Sequence, residues 1–497
     1  MGEGTLSATN EGRQRGVIET RSIDHVPASE RHGKPWHQGP FWFTGNFVLV
    51  TMVSGFLGPT VGLSLGYACL AIVLGVGFGT FFMAFHANQG PTMGLPQMIQ
   101  SRAQFGSRGA IVPFTATVFV YVGFIVFDLV LATQALQTVL PGGRWFWYPF
   151  LMLVAVVLAV IGHDLLHWVQ RWLTPILLVF FGVFTVYAVA HVGSAPEAVE
   201  SGWTLTGFLI MFSVAAGYQI SYSVYVSDYS RYLPTDTPAR GVITWTYLGA
   251  GASAVWLMCL GALLGTHLEA PDAVGSLVTV GNDLFSGFGT LLVLISVPAL
   301  LTICAVNSYG AMLTSASAVD GFTPVQPGVR ARVTGIGIIA VLSVIIALAL
   351  PSDYLGSFNN FVLLMLYFLI PWTAVNLADF YLVRRGHYAI TEMYNPNGMY
   401  GRWAWRGLTA YVVGLLAMIP FMSLSFYVGP AARALDGVDI AFIVGLVVGG
   451  GLYVLLTRGL DLTEEAARIE ESNRELNGLV SRGLAVPAAT DHLGSEL

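Results

Sequence analysis

Asp128 is the residue whose position asks most of the chain. It falls within the apolar stretch YVGFIVFDLVLATQAL, with no basic residue near it in sequence. An ionisable side chain at mid-bilayer depth costs about 2.5–3.5 kcal/mol on insertion scales, so its presence marks a candidate functional site. Phe124 stands four residues earlier, which puts a ring and a carboxyl on one helix face. An aromatic plate beside a hydrogen-bonding group suits a flat heterocycle: stacking gives affinity and the polar group reads the ring edge. The competing reading is a protonated Asp128 bonded to a neighbouring helix. Asn307, in ICAVNSYGAMLTSAS, adds an amide whose donors and acceptors can pair with an amide-like ligand edge, or can join two helices. Asn46, Tyr218, Gln219 and Tyr222 are candidates for the same ligand because they sit where two apolar stretches are interrupted. Asn376 and Asp379, in PWTAVNLADFYLVRRG, suit an anchor or inner gate at the end of a later stretch.

Those interruptions carry their own argument. One stretch reads WFTGNFVLVTMVSGFLGPTVG, with Gly45-Asn46 in its inner third; the other reads GFLIMFSVAAGYQISYSVYVSD, with Gly217 inside. Lipid offers no partners for freed backbone groups, so a broken span is tolerated only where it is buried or lines a cavity. Broken spans at matching places in two oppositely oriented halves point to a transport site at their interface. Gly45-Asn46 and Gly217-Tyr218 are read as helix breaks, whereas Gly55 and Gly58 are read as close-packing residues. The segment SDYSRYLP at Ser227–Pro234 then closes the second stretch with charged residues at its mouth.

Other patterns carry less. His163 and His167 have the i, i+4 spacing of zinc proteases, but Asp164 stands where that motif needs Glu. GVGFGT at Gly75–Thr80 follows no strand and lies mid-span, so helix packing explains it better than nucleotide binding. No nucleophile, metal or cofactor arrangement emerges, and an enzyme is not expected. Cys69, Cys259 and Cys304 all fall within apolar stretches and read as packing residues.

The elements that must position these residues are membrane helices. Of 497 residues, 55% are hydrophobic and only 10% charged, with a mean hydropathy of +0.68. So few charges could not cover a soluble protein of this size. The apolar residues fall in blocks of roughly 20, the length of a helical span. About twelve spans follow, near 38–64, 67–89, 111–140, 146–162, 172–193, 204–226, 241–267, 287–318, 333–350, 355–382, 405–427 and 437–457. With the N-terminus inside, Lys and Arg divide 20 to 2 in favour of the cytoplasmic side, only Arg144 and Arg433 falling outside. That obeys the positive-inside rule and predicts cytoplasmic tails at 1–37 and 458–497. Residues 1–37 lack a short apolar core before a cleavage site, so no cleaved signal peptide is expected. LTEEAARIEESNRELNGLV in the second tail reads as a solvated amphipathic helix. The lipid bilayer is the expected partner, nucleic acid is not, and oligomeric state is left open.

The chain resembles the nucleobase:cation symporter-1 family, in its purine–cytosine permease branch. The likeness rests on IETRSIDHVPASER, GNFVLVTMVSGFLGPTVGLSLG, GPTMGLPQMIQSRAQFGSRG, SDYSRYLP and NLADFYLVRRG, spread over residues 18–386. It implies an all-α integral membrane fold of the LeuT type: a 5+5 inverted repeat (38–193 and 204–382) plus two extra helices (405–457). It also implies alternating access and uptake of a nucleobase or related heterocycle with a cation. On the family pattern Phe124 stacks on the ligand and Asp128 stands where an amide bonds it. Gly217-Tyr218, with Tyr222 as alternative, matches the sixth-span aromatic, Asn307 the eighth-span asparagine, and Gly45-Asn46-Phe47 the first break.

Two departures shape the expected coupling. LLTICAVN supplies only Thr302 where sodium-coupled members carry paired hydroxyls. A carboxyl also replaces the neutral amide, and a buried carboxyl can hold a proton near neutral pH. It can equally favour a cationic or amidine-bearing ligand. Proton coupling through Asp128 is therefore expected over sodium, with uracil, allantoin, hydantoin or a vitamin-like heterocycle as the alternative cargo. From other classes, a channel predicts conductance without saturation and a receptor predicts binding without flux.

Overall fold

The computed structural model describes residues 23–161, 163–197, 202–268, 272–323, 329–351 and 354–481. Helices follow the apolar blocks. The first block becomes α1 (Gln38–Asn46) and α2 (Leu49–Thr60), bent by 72°. Then come α3 (Leu65–Ala87), α4 (Ile111–Gln137), α5 (Arg144–Ile161) and α6 (His163–His191). The second half opens with α7 (Leu205–Ile220) and the short α8 (Val226–Ser230), followed by α9 (Ala239–His267) and α10 (Ala273–Leu284). After these run α11 (Phe288–Asp320), α12 (Val329–Ala349), α13 (Leu355–Ala378), α14 (Trp405–Met418), α15 (Ala441–Thr457) and α16 (Leu462–Ser481). Among the described residues eight helices are long and apolar enough to cross a membrane, or ten if each bent pair counts once. Two shorter apolar helices, α5 and α14, complete segments compatible with the expected twelve.

Two packed sets face each other. In one, α3 packs on α7 and α9 while α1 and α2 pack on α9; in the other, α4 and α5 pack on α11. Numbering the spans in order, the second lies on the sixth and the first on the seventh. Those pairs exchange under a five-span shift, as an inverted repeat requires. The glycines of GVGFGT serve this packing. A Cβ at Gly79 would lie 2.3 Å from the Ala216 carbonyl, so α3 and α7 touch backbone to backbone. The side chains of His163 and His167 lie outside the described residues. The helix α10 falls outside every apolar block and is an addition of the structure; Asp272 caps it, accepting from the Val274 and Gly275 amides.

The break in the second half falls lower than the sequence suggests. α7 runs unbroken through Gly217 to Ile220, and a 3-10 turn, Ser221–Val224, leads to Tyr225. Gly217 is spent on packing, since a Cβ there would meet the Val362 carbonyl at 2.7 Å. The helix opens instead where Ser221 Oγ donates to the Tyr218 carbonyl at 2.6 Å, competing with the backbone ladder.

The described parts of the two tails lie on one face of the molecule, because Ile23, Leu95, Tyr394 and Leu476 share a single apolar cluster. On this tail side the sequence motifs act as clasps. From SDYSRYLP, Ser227 and Ser230 donate to the carbonyls of His86 and Ala87 at the end of α3. Asp228 accepts from the Gln97 amide at 2.7 Å. Asp379 accepts from Gln104, Arg384, Tyr388 and Tyr453, and Asn376 joins Gln89 to Gln104. These two residues anchor the end of α13, one of the two roles open to them in the sequence. The helix α16 is more than a solvated helix: Glu465 accepts twice from Arg384 at 2.9 Å, and Ser472 accepts from Thr391.

Arg102 is buried and paired with Asp320 at 3.0 Å, tying the segment before α4 to the end of α11. Removing one partner of a buried pair leaves an uncompensated charge, a loss of about 3–5 kcal/mol. Arg102→Ala is therefore expected to lower the melting temperature of the detergent-solubilised protein sharply. A melting curve that matches the unsubstituted protein would contradict the assigned pairing.

Candidate functional site

The break between α1 and α2 is built to be buried. Phe47 leaves helical geometry (φ −89°, ψ 66°) and Val48 is extended (φ −134°, ψ 158°). The Asn46 carbonyl, which a continuous helix would pair internally, accepts from Thr51 Oγ1 at 2.7 Å. The Asn46 side chain donates to Gln219 Oε1 and to the Ala250 carbonyl, both at 2.9 Å, and accepts from the Tyr222 hydroxyl at 3.0 Å. Gln219 in turn donates to Thr80 Oγ1 at 2.8 Å and to the Ala250 carbonyl at 3.2 Å. Both amides are fully buried, and every amide hydrogen of Asn46 goes to protein. They knot α1, α3, α7 and α9 together at the break.

Beside this knot lies a cavity of about 140 Å³, half of whose twenty lining residues are aromatic. Phe124, Tyr218 and Asn307 line its mid-membrane end, Tyr222 and Gly45 its waist, and Trp42, Tyr229 and Arg231 its tail-side mouth. Phe124 and Tyr218 meet edge to face, with ring centroids 5.5 Å apart and planes at 89°. The two rings therefore close the end of the cavity on each other, with no slot between them. Tyr218 is fixed from behind by its hydroxyl, 2.6 Å from Thr51 Oγ1.

Asp128 lies one helical turn beyond Phe124, outside the cavity lining. It is fully buried, and neither carboxyl oxygen has a hydrogen-bond partner among the described residues. The titratable groups sharing its surroundings are Tyr218, Tyr222 and Cys304, none of them cationic. An ionised carboxylate without a cation or donors is very costly in such a place.

Thr302 stands apart from both. Its hydroxyl donates to the Ala299 carbonyl at 2.8 Å, and it lines a gap of about 20 Å³. The same gap is lined by Thr44 from α1 and Thr174 from α6, together with apolar side chains that include Phe47 and Leu177.

Of the seven residues expected to meet a ligand, the structure brings four to one cavity: Phe124, Tyr218, Tyr222 and Asn307. Asn46 and Gln219 are bonded to each other behind its wall, and Asp128 lies past its closed end. Sequence reasoning missed Tyr121, Trp42 and Tyr225, which also line it. Their signal was present as spacing. Tyr121, Phe124 and Asp128 share one face of α4, and Tyr218, Tyr222, Tyr225 and Tyr229 recur every three or four residues.

A broken first span knotted to its counterpart in the second half, beside an enclosed aromatic cavity, defines a secondary transporter of the inverted-repeat type. The family model for permeases for cytosine/purines, uracil, thiamine and allantoin matches residues 25–445, and the chain belongs to that family. It is a multi-pass membrane permease, not an enzyme. The chain is 37% identical to the protein YxlA of Bacillus subtilis (strain 168), over 89% of this chain and 96% of that one. It is 25% identical to the purine-cytosine permease fcyB of Emericella nidulans, over 88% of each chain. In fold it matches Mhp1, a nucleobase-cation-symport-1 family transporter, in the closed conformation with bromovinylhydantoin bound. That match has a TM-score of 0.71 at 18% identity and covers 92% of this chain and 100% of that one. Against inward-facing Mhp1 the TM-score is 0.72 at 19% identity, covering 92% and 98%. The architecture is thus the LeuT-like one.

Proposed function

We propose that this permease imports a purine or pyrimidine base of the cytosine/purine type by alternating access, coupled to a proton carried on Asp128. The observation that carries this reading is the Asp128 carboxyl, buried with both oxygens unpartnered one turn from Phe124 at the closed end of an aromatic cavity. A flat base in that cavity has rings to stack on at Phe124, Tyr218 and Tyr222, and an amide for its edge at Asn307. When Phe124 and Tyr218 part, Asp128 becomes the polar group next to the ligand, and a neutral acid can donate to a ring nitrogen while accepting from an exocyclic amine. Asn46 and Gln219 act as positioning residues that hold the break. The two repeats, 38–193 and 204–382, supply the moving parts, with 405–457 packed outside. The cell membrane, with both tails cytoplasmic, follows from the distribution of Lys and Arg. The naming of the relative fcyB supports the cargo class.

Labelled cytosine uptake into proteoliposomes under an inward proton gradient, in sodium-free buffer, tests the reading. Saturable accumulation that an uncoupler collapses is expected, with unlabelled bases, allantoin and thiamine ranking the cargo by competition. Absence of sodium-free uptake by folded protein would overturn it.

A sodium-coupled carrier of a hydantoin-like or allantoin-like ring is favoured by one observation: Thr44, Thr174 and Thr302, from three helices, line a single small gap. Hard cations need several oxygen ligands. On the proton reading, Thr302→Val leaves uptake unchanged and added sodium has no effect. Sodium-stimulated uptake that Thr302→Val removes would replace that reading.

A further inference from the structure

The cavity is lined by two aromatic contacts between the same two segments. Toward mid-membrane, Phe124 of α4 meets Tyr218 of α7 edge to face. Toward the tails, Tyr121 of α4 lies nearly parallel to Tyr225, with centroids 5.4 Å apart and planes at 22°. These segments belong to opposite packed sets, so each contact must open or slide when the sets move. The lower pair is seated with care. A Cβ at Gly310 of α11 would lie 2.6 Å from Tyr121 Cζ, so only glycine leaves room for that ring. Tyr225 sits at the non-helical joint (φ −141°, ψ 4°) between the 3-10 turn and α8, where backbone rotation swings the ring without unwinding a helix. Trp42, 6.1 Å away, backs it from α1.

We propose that Tyr121 and Tyr225 form a tail-side gate that is also a stacking station, through which the cargo leaves by taking the place of one ring against the other. This rests on the reading of the protein as a carrier of flat heterocycles. A near-parallel ring pair offers two π-faces, and a planar base inserted between them regains by stacking what the pair loses by parting. A puckered ring regains less, so the gate favours planar, unsaturated cargo at the exit step. Because the pair lies between the Phe124–Tyr218 contact and the tail-side mouth, it acts on that face of the membrane and not on the outer one.

The test uses the full-length protein in right-side-out and inside-out vesicles, with labelled cytosine and with uracil and 5,6-dihydrouracil as a planar and a puckered competitor. In the unsubstituted protein, dihydrouracil should be about tenfold weaker relative to uracil at the tail-side face than at the outer face. Tyr225→Leu and, independently, Tyr121→Leu should raise the tail-side half-saturation for cytosine about tenfold, while the outer-face value moves less than twofold. Maximal efflux should rise in step, as detailed balance requires, and Tyr225→Phe should restore the original values. Equal uracil-to-dihydrouracil ratios on the two faces, or equal shifts on both faces in the leucine variants, would overturn the gate. Failure of the unsubstituted protein to move any base would instead overturn the carrier reading itself.

Discussion

Asp128→Asn should abolish accumulation of cytosine against a gradient while leaving exchange of labelled for unlabelled cytosine intact. The substitution keeps the size of the side chain and its ability to bond a ring edge, but removes the exchangeable proton. A proton crossing 100 mV is worth about 2.3 kcal/mol, roughly a 50-fold accumulation ratio, and this is what the variant loses. The sign follows from the proton-coupled reading proposed above: among the described residues neither carboxyl oxygen has a partner, so a proton taken up there on one face would be released on the other. Uptake in the variant therefore stops at the external concentration, and acidifying the outside no longer raises it. Undiminished pH-driven accumulation by Asp128→Asn would remove Asp128 from the coupling step.

Asn46→Ala should lower kcat/KM for every transported base by a similar factor, on the order of 100-fold or more. Its amide meets Gln219, Tyr222 and the Ala250 carbonyl; the substitution strands Gln219 Oε1 and the Tyr222 hydroxyl, while the Ala250 carbonyl keeps Gln219 as its donor. Each stranded buried group costs about 1–3 kcal/mol, and the Asn46–Val48 break loses the bonds that fix its angle. Uniformity across a panel of bases is the informative readout. A loss confined to bases with one edge pattern would make Asn46 a ligand after all, and Gln219 with it.

These two residues show what was legible in the chain. The membrane fold was plain because span length and the apolar blocks are properties of single segments, and the helices long and apolar enough to cross a membrane fall on those blocks. The candidate site was legible as a neighbourhood: breaks, mid-span polar groups and aromatic spacing all led to α1, α4, α7 and α11. The direction of each side chain was not. Asn46 sits at its break and Gln219 in the last turn of α7 before the other, yet each is bonded to the other, and a pairing across 173 positions leaves no local trace. Gly217 shows the same limit. A glycine beside a tyrosine reads as a break, but the approach of the Val362 carbonyl, which explains it, belongs to tertiary packing. Tyr121 and Tyr225 were visible as periodic aromatics, and only the fold brings their rings face to face.

The cluster on the tail side gives the chain an order of manufacture. Ile23 and Leu476 share a cluster, yet Leu476 is made only after every membrane helix between them. Arg384 and Thr391 receive Glu465 and Ser472 only once α16 has been made. The permease is thus fully inserted in the membrane well before its inner surface can be finished. A chain cut short before α16 would span the bilayer but leave Tyr388 and Met393 at an unsealed seam. Such a seam is an exposed apolar surface of the kind that cellular quality control inspects, and α16 is the element that covers it.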